Sequence, residues 1–366
     1  MSKQYYIIPI FVPHLGCPHA CVFCNQRKIT GQTTLPTPAE IKQTIYSYLQ
    51  TIPVKSNKTI EVAFYGGSFT ALPVEQQLEL LEPATQVWRS GQIDGIRIST
   101  RPDCVSGELL ALLHRQGVLT VELGAQSLDP SVLLESKRGH TPADIIRASQ
   151  LVRQAGCRLG IQMMIGLPGD TRDKMLMTVR GVIRLAANFV RIYPALVLKD
   201  TVLHKLYMTG NYQPLSLSEA VNWSKDALIL FSQMGIPVVR LGLQPTETLM
   251  AEGEVVAGPF HPAFGELVYS ALVGEQAAEL LRRWLTKLDP RPSGVVLFTP
   301  PQQVSPLVGH YRGNIKRIQA AWGLQEIKIE PLKELPALAI GVAAAGQKIP
   351  HMILTREEFL SSYRIK

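Results

Sequence analysis

A regular alternation of short apolar runs and amphipathic helical patterns restricts the fold of this 366-residue chain more than any other feature. The apolar runs are rich in β-branched and aromatic residues, which is typical of strands. The predicted strands are Tyr5–Phe11, Thr59–Tyr65, Gly95–Ser99, Thr120–Leu123, Arg158–Met164, Phe189–Ile192 and Val238–Leu241. The predicted helices are Pro38–Leu49, Val74–Ser90, Ser106–Gln116, Thr141–Ala155, Thr171–Ala187 and Ser218–Met234. This repetition predicts an α/β fold of parallel strands, either an open doubly wound sheet or a closed or partial (β/α) barrel.

The length and composition allow one large domain and a smaller one. With 46% hydrophobic residues the chain can bury a large core, and single domains usually contain about 100–250 residues. Prolines and a glycine at positions 290–294 follow a helical pattern that ends near Leu288, and they predict a linker. We therefore predict a large domain over residues 1–288 and a small α/β module over residues 293–366.

Neither a signal peptide nor a membrane anchor is predicted. The amino-terminal apolar run is short and is interrupted by Pro9 and Pro13, and no later run reaches the ~18 apolar residues that a spanning helix needs. Three of the five cysteines lie close together, which favours a metal site in a reducing compartment over a disulfide framework. These features predict a cytoplasmic protein without a membrane partner.

The positive charge of the chain is concentrated near its carboxyl end. The whole chain has 37 Lys and Arg against 29 Asp and Glu, a net charge of +8. The stretch from Arg282 to Lys328 holds eight basic residues and only two acidic ones, Asp289 and Glu326. This excess is typical of either a solvated basic face or a nucleic-acid-binding surface, and charge alone does not decide between them.

Cys17, Cys21 and Cys24 form a CxxxCxxC pattern directly after the first predicted strand, where parallel-strand folds bind ligands. This spacing lets three thiolates converge on one [4Fe–4S] cluster, each on a different iron. The fourth iron then lacks a protein ligand and can bind S-adenosylmethionine, whose reductive cleavage yields a 5′-deoxyadenosyl radical. The alternative is a structural zinc site completed by His14 or His19, although such sites more often use two separated ligand pairs.

The pattern resembles the signature of the radical S-adenosylmethionine superfamily, which includes an aromatic residue at the position of Phe23. The resemblance implies a partial (β/α)6 barrel with cofactor contacts at later strand ends. The residues implied are Gly66, Gly67, Ser99, Arg101, Glu122, Gln126 and Gln162. Ser68 stands where many members carry glutamate, so only the glycine backbone is assigned at that strand end. Each residue alone is also compatible with ordinary strand-end solvation.

A narrower resemblance, over residues 5–288, is to the radical domain of the Elongator catalytic subunit family. It is carried by VPHLGCPH at residues 12–19, FYGGSFT at 64–70, STRPD at 99–103 and RIYP at 191–194. That family modifies wobble uridine in tRNA with acetyl-CoA, and it implies an electron donor such as ferredoxin or flavodoxin. The roughly 75 remaining residues are too few for the family's acetyltransferase domain, so acetyl-CoA use is not expected.

Arg191 and Tyr193 are the candidate catalytic residues on the substrate side. Arg240, in the last predicted strand, is a further substrate-side candidate. They end the late predicted strands, and ion pairing at a barrel rim is the equally compatible alternative.

The last part of the chain resembles the core of the KH module. A strand at Val295–Thr299 and a helix at Pro301–Leu307 precede a loop that opens a second helix ending at Trp322. In KH modules a GxxG loop between two helices clamps nucleotide backbone. Here Arg312 takes the second glycine position, and the predicted RNA-binding residues are Arg312, Lys316 and Arg317. A small α/β packing module with a tight turn is the alternative.

Three functions compete. The leading hypothesis is a radical enzyme, a transferase or oxidoreductase, that modifies a tRNA base. The second keeps the radical chemistry but places it on a small molecule such as a porphyrinogen. The third is a non-catalytic haem or cluster carrier.

Overall fold

The computed structural model describes residues 5–13, 17, 21–24, 34–53 and 58–365, apart from the side chain of Thr248. Two compact units make up the chain. The first contains Met1–Leu217 and Ile236–Phe260, and the second contains Ser218–Gly235 and His261–Lys366. The predictions for His14 and His19 lie outside the described residues.

The first unit is built on a sheet of seven parallel strands in the order β1-β2-β3-β4-β5-β6-β8. The strands are β1 (Tyr5–Val12), β2 (Thr59–Gly66), β3 (Gly95–Thr100), β4 (Val118–Gln126), β5 (Arg158–Ile165), β6 (Phe189–Pro194) and β8 (Val238–Leu241). β1 and β8 form the two ends of the order, so the sheet is an open barrel. The predicted partial barrel is confirmed, with a seventh parallel strand beside the six of the predicted barrel.

Helices and two short strands connect the strands of this sheet. The helices are α1 (Pro38–Thr51), α2 (Val74–Arg89), α3 (Gly107–Arg115), α4 (Pro130–Glu135), α5 (Pro142–Gln154), α6 (Arg172–Arg184), α7 (Val202–Met208) and, late in the unit, α9 (Glu247–Met250). β7 (Val197–Leu198) pairs antiparallel with β9 (Val255–Ala257). Capping boxes at Thr37 and Thr141, each followed by proline, fix where α1 and α5 begin.

The amino-terminal end of the barrel interior is filled by aromatic and charged side chains. The Tyr5 hydroxyl of β1 accepts hydrogen bonds from Arg97 Nη2 at 2.9 Å and from Arg158 Nη1 at 3.2 Å. The Arg97 guanidinium also lies 4.6 Å from the centroid of the Phe189 ring. Strands β1, β3, β5 and β6 are therefore tied together across this end.

The second unit is a four-stranded sheet covered by helices. The strand order is β11-β10-β12-β13, with β10 (Gly294–Thr299) parallel to β11 (Glu326–Pro331) and antiparallel to β12 (Ile340–Ala344), which pairs with β13 (Met352–Leu354). The helices are α8 (Leu217–Gln233), α10 (Phe264–Leu285), α11 (Val304–Val308), α12 (Gly313–Trp322) and α13 (Arg356–Ser362). The predicted strand, helix, helix, strand order around residues 295–329 is present.

The division of the chain lies earlier than the predicted boundary at residues 288–293. Buried residues of α10, among them Val273, Ala277 and Leu281, share one apolar cluster with Leu297 of β10 and Val342 of β12. Because this long helix forms the core of the second sheet, it belongs with that sheet rather than with the barrel.

Within the part of the chain that the structure describes, no helix is both long and apolar enough to cross a membrane.

Candidate active site at the carboxyl ends of the strands

The three cysteines follow the carboxyl end of β1. None of the three forms a disulfide within the described residues, and Cys21 is buried while Cys17 and Cys24 are partly exposed. The segment around Cys21 is fixed because Val22 donates its amide to the Ser136 carbonyl at 3.2 Å and packs in an apolar cluster. Among the described side chains, no set of three or more His, Cys, Asp or Glu is arranged to hold a metal ion. The cluster-ligand role of the cysteines therefore stays a prediction.

A buried arginine contacts one of these cysteines. Arg138 Nη1 donates to Cys21 Sγ at 3.1 Å, and its Nη2 donates to the Gly124 carbonyl at 2.6 Å. A guanidinium at this distance offsets the negative charge that a thiolate ligand carries. The sequence patterns did not single out Arg138, although its position in Arg138-Gly139-His140, after the fourth strand end, was the available signal.

Arg101, a predicted cofactor contact, is held in place by Asp103. Its Nε and Nη2 donate to the two carboxylate oxygens of Asp103 at 3.0 Å each, and Nη2 also donates to the Arg138 carbonyl. Burial opposes the charged form, but Asp103 and the sulfurs of Cys17 and Cys21 raise the pKa of Arg101 overall. Arg101 is thus a fixed cation beside the cysteine segment.

Two buried guanidinium nitrogens beside the cysteine segment make no hydrogen bond within the described residues: Arg101 Nη1 and Arg138 Nε. Buried donors without partners are costly, and native proteins rarely leave them so. Both belong to cations near Cys17 and Cys21. This arrangement fits an anionic group, such as thiolate-bound cluster or a carboxylate, at the cysteine segment.

His140 is buried against the same strand ends. One ring nitrogen lies 3.2 Å from the Ala125 carbonyl and the other 3.9 Å from Asp103 Oδ1. Burial, with the charge of Arg138 adding to it, lowers the pKa of His140 to about 4. The imidazole is therefore neutral at physiological pH.

Ser68 and Thr100 join the ends of β2 and β3. The Ser68 and Thr100 hydroxyls lie 2.9 Å apart, and the Arg101 amide donates to Ser68 Oγ at 3.2 Å. Ser68, where glutamate is usual in the resembling family, therefore supports the backbone before Arg101. The predicted Ser99 is partly exposed and lies opposite Glu122 in the β3–β4 register.

Gly66 is required by its neighbour in β1. Its φ of +129° is disfavoured for other residues, and an added Cβ would lie 1.8 Å from the Val12 carbonyl oxygen. The Gly67 amide donates to the same carbonyl at 3.3 Å. The backbone of this glycine pair therefore lies close to β1, just before the cysteine segment.

Gln126 and Gln162 meet at the ends of β4 and β5. Gln162 Nε2 is 3.5 Å from Gln126 Oε1, and the register shifts between Gly124 and Gln126. Gln126 has a φ of +67°, an unfavourable backbone for a side chain of this kind. The irregularity falls at the last residue of β4, whose side chain meets that of Gln162 on β5, and the cofactor role of the two glutamines stays a prediction.

A buried charge network lies inside the barrel. Arg97 Nη2 is 2.6 Å from Glu61 Oε2, Arg97 Nη1 is 2.6 Å from Glu122 Oε1, and Arg191 Nε is 3.1 Å from Glu122 Oε2. Two arginines and two glutamates offset one another, and Coulombic attraction to Glu122 raises the pKa of both arginines despite burial. Glu61 and Arg97 were missed from the sequence, where charged residues within otherwise apolar strands were the signal.

Arg191 and Tyr193, two residues apart on β6, lie on the same face of the sheet. Arg191 donates to the Tyr65 hydroxyl, and its guanidinium lies 4.7 Å from the centre of that ring. Arg191 Nη1 is 3.5 Å from the Tyr193 hydroxyl. Burial raises the pKa of Tyr65, so its hydroxyl stays protonated. The two predicted catalytic residues are therefore neighbours, and Arg191 also contacts Tyr65 of β2.

The predicted RNA-binding residues lie on the second unit. Arg312 and Lys316 are exposed, whereas Arg317 Nη1 is 3.6 Å from Glu275 Oε2. Other basic residues of the same stretch also have acidic neighbours: Arg282 and Arg283 with Glu279, and Lys328 with Glu330. Part of the basic excess is thus neutralised, whereas Arg312 and Lys316, like Lys287 and Arg291, are exposed and form no ion pair with the described residues.

An open barrel of parallel strands, with a cysteine triplet after the first strand and buried cations around it, is typical of the radical S-adenosylmethionine class of fold. Comparison with known families agrees. Residues 11–181 match the Radical SAM superfamily and residues 187–273 match the Radical_SAM C-terminal domain. Together these two matches cover more than half of the chain and place it in the radical SAM superfamily. This family uses a [4Fe–4S] cluster and S-adenosylmethionine.

Similar proteins match this chain over part of their own length. A "tRNA uridine(34) acetyltransferase" of Methanocaldococcus jannaschii is 28% identical over 59% of this chain and 47% of its own. The "Heme chaperone HemW" of Bacillus subtilis is 25% identical over 57% of this chain and 54% of its own. This chain therefore spans about half the length of these two relatives. The solved structure of Methanocaldococcus infernus Elp3 has a TM-score of 0.59 at 21% identity, covering 75% of this chain and 64% of that one, and shares the fold.

Proposed function

We propose that this chain binds the cluster through Cys17, Cys21 and Cys24 and modifies a base in RNA, with a tRNA uridine as the first candidate. The observation that carries the cofactor assignment is the pair of buried cations, Arg101 and Arg138, next to the cysteine segment. Both have nitrogens without a hydrogen-bond partner in the described chain.

When bound, the cluster and S-adenosylmethionine supply a 5′-deoxyadenosyl radical. The residues of this chain bind, orient and shield the reactants. Arg101 Nη1 is placed to donate to a carboxylate, and the paired amides of Gln126 and Gln162 offer further hydrogen bonds at the next strand ends. Gly66 and Gly67 hold the β2 end against β1.

Arg191 and Tyr193 supply hydrogen-bond donors for the carbonyl oxygens of a pyrimidine ring. The charge of Arg191 is already offset by Glu122, and the network of two arginines and two glutamates has no formal net charge. A neutral base suits this interior better than a porphyrinogen, whose carboxylates need unpaired cations. The charge balance therefore favours the RNA hypothesis over the small-molecule one.

The similarity to tRNA uridine(34) acetyltransferases supports the same choice. Because this chain spans only about half of that relative, the group transferred and any use of acetyl-CoA do not follow from the similarity. Ferredoxin or flavodoxin is the proposed electron donor, since the cofactor must be cleaved reductively.

Anaerobic turnover of the reconstituted enzyme tests the proposal. With S-adenosylmethionine, dithionite and an unmodified tRNA transcript, we expect tRNA-stimulated release of 5′-deoxyadenosine and a nucleoside of changed mass. Flavodoxin with its reductase should replace dithionite. Release that is indifferent to RNA would contradict the RNA substrate, and a fully loaded cluster that never cleaves the cofactor, with haem retained, would favour a carrier like HemW.

Matched variants connect the result to the barrel interior. Arg191→Lys keeps the positive charge but removes the planar guanidinium with its fixed hydrogen-bond donors. We therefore expect the rate of tRNA modification to fall by at least about tenfold. Arg184→Lys, at the exposed carboxyl end of α6, is the control and should modify tRNA like the wild type. Equal losses in both variants would show that Arg191 has no special role.

A further inference from the structure

The loop that opens helix α12 in the second unit presents an exposed tyrosine. Tyr311 is 82% exposed, far more than Tyr46 at 39% or Tyr48 at 41% on α1. Because the Tyr311 ring is exposed to water, hydrophobic burial of this ring does not stabilise the folded chain. This makes the ring available to a ligand.

The backbone of the loop is held in an uncommon conformation. Tyr311 and Arg312 have φ of +48° and +60°, so two successive residues with side chains occupy the left-handed region. Buried Asn314 anchors the loop by donating from Nδ2 to the Ser270 and Pro306 carbonyls at 2.9 and 3.0 Å. Conformations of this kind persist where the surroundings impose them, and they cluster at functional sites.

Two histidines extend the aromatic surface. The His310 and Tyr311 ring centres are 4.1 Å apart, and the His261 ring lies 5.7 Å from His310 at 79°. Tyr311 is therefore the outer member of a group of three rings. The Tyr311 ring is inclined at 59° to His310, so the platform for a flat partner is the exposed Tyr311 ring itself, because aromatic rings stack on unpaired bases.

The charge beside the platform is positive. Arg312 and Lys316 are exposed, and neither forms an ion pair with any residue that the structure describes. The position of a Cβ on Gly313 has no atom within 4 Å, so the backbone at the start of this ten-residue helix is open to approach. A phosphate can reach both side chains and the helix amides here.

We propose that this loop stacks one unpaired base of the RNA substrate on Tyr311, while Arg312 and Lys316 contact the adjoining phosphates. The inference rests on the proposed RNA substrate and adds to it the kind of nucleotide that the second unit holds. A duplex does not fit, because its bases are already stacked and their faces are covered.

Binding of labelled RNA to the full-length holoenzyme, followed by fluorescence anisotropy, tests this. Tyr311→Ala should lower the affinity for a single-stranded ten-nucleotide RNA by about tenfold. Tyr311→Phe, which keeps the ring, should bind this RNA with an affinity within about twofold of the wild type. Arg312→Ala should lower the slope of log affinity against log salt by about one. Tyr46→Ala, on another exposed tyrosine, is the control and should bind like the wild type.

Tyr311→Gly separates a ligand role from a structural one. Glycine relieves the left-handed strain, so the midpoint of thermal unfolding should stay or rise while RNA affinity falls as in Tyr311→Ala. A lower midpoint with unchanged affinity would overturn the inference.

The two proposals fail in different ways. Wild-type affinity in Tyr311→Ala, with tRNA still stimulating 5′-deoxyadenosine release, would overturn the stacking site alone. Absence of any RNA binding or stimulation in the wild type would overturn both. Equal affinity for the single strand and the matched duplex would also overturn the stacking site.

Discussion

The two units of the molecule use charge in opposite ways. In the barrel, Arg97 and Glu122 are buried and pair with each other at 2.6 Å, in a network that continues to Glu61 and Arg191. In the second unit, Arg312 and Lys316 face water and the core contains an apolar cluster around Leu297 and Val342.

The difference separates two tasks. Charges that satisfy one another inside a barrel fix the geometry of strand ends and keep the interior close to neutral, which suits controlled chemistry on a small reacting group. Charges left in solvent attract a polyanion over distances up to about a Debye length. We expect changes in the barrel to affect cofactor chemistry and stability, and changes in the loop to affect binding alone.

The largest effect should follow loss of a cysteine in the barrel unit. Cys24→Ala should lower bound iron sharply and reduce 5′-deoxyadenosine release to background, because each thiolate is proposed to hold a different iron. Iron content and product assays on anaerobically reconstituted protein measure this. Cys157→Ala, a buried cysteine whose thiol lies 3.4 Å from the Val118 carbonyl, is the control and should keep its iron. Full iron content in Cys24→Ala would refute the assignment.

Next in size is the cost of breaking the buried network. Arg97→Met removes the partner of Glu61 and Glu122 and should lower the free energy of unfolding by about 3–5 kcal/mol. Arg282→Met removes an ion pair with Glu279 whose arginine is 58% exposed, and it should cost less than about 1 kcal/mol. Urea unfolding of both variants measures the contrast, and equal costs would erase the distinction between the two units.

The stability of the folded chain should decrease at acid pH, and we expect buried His140 in the barrel to contribute to this decrease. The pKa of His140, about 4 in the folded chain, lies below its ordinary value of 6.5. The folded state therefore binds this proton less tightly, so its contribution is fully present above about pH 6.5 and is lost as pH falls toward 4. The loss is about 3 kcal/mol.

His140→Gln should remove this part of the pH dependence, which unfolding curves between pH 7 and 4 measure. The amide can still donate to the Ala125 carbonyl, so folding should survive. His351→Gln, at an exposed position in the second unit, serves as the control and should keep the wild-type profile. A profile unaltered by His140→Gln would contradict the role of this burial.

The smallest effect should appear within the basic loop region. Arg317→Ala should weaken RNA binding by about twofold or less, because Glu275 already engages this side chain at 3.6 Å. Lys316→Ala should weaken it more, and anisotropy titrations at fixed salt compare the two. A larger loss in Arg317→Ala would reverse the proposed order of contacts.

The strands and helices of the barrel could be predicted because their signals are local. The Thr37 and Thr141 capping boxes, the glycine turns and the runs of β-branched residues place the elements to within a few residues of the observed bounds. The carboxyl ends of parallel strands share one edge, so Gln126 and Gln162 could be expected to meet.

Contacts that depend on register or distant loops could not be predicted. Arg138 and Cys21 are 117 positions apart, and nothing in either segment specifies the other. Arg97 reaches both Glu61 and Glu122 only because β3 lies between β2 and β4, a fact of strand order rather than of pattern. The boundary between the units could not be placed for a similar reason. The apolar face of α10 predicts that the helix is buried, but it does not indicate which of the two sheets the helix packs against.

Three side chains meet at the amino-terminal end of the barrel: Tyr5, Arg97 and Phe189. Their position affects how ligands enter the barrel. We expect these contacts to hinder passage through this end, so that cofactor and substrate both enter at the carboxyl ends of the strands. An RNA bound at that entrance would obstruct a cofactor bound behind it. We therefore expect S-adenosylmethionine to bind first and its fragments to depart last, an order that alternate-substrate kinetics would reveal.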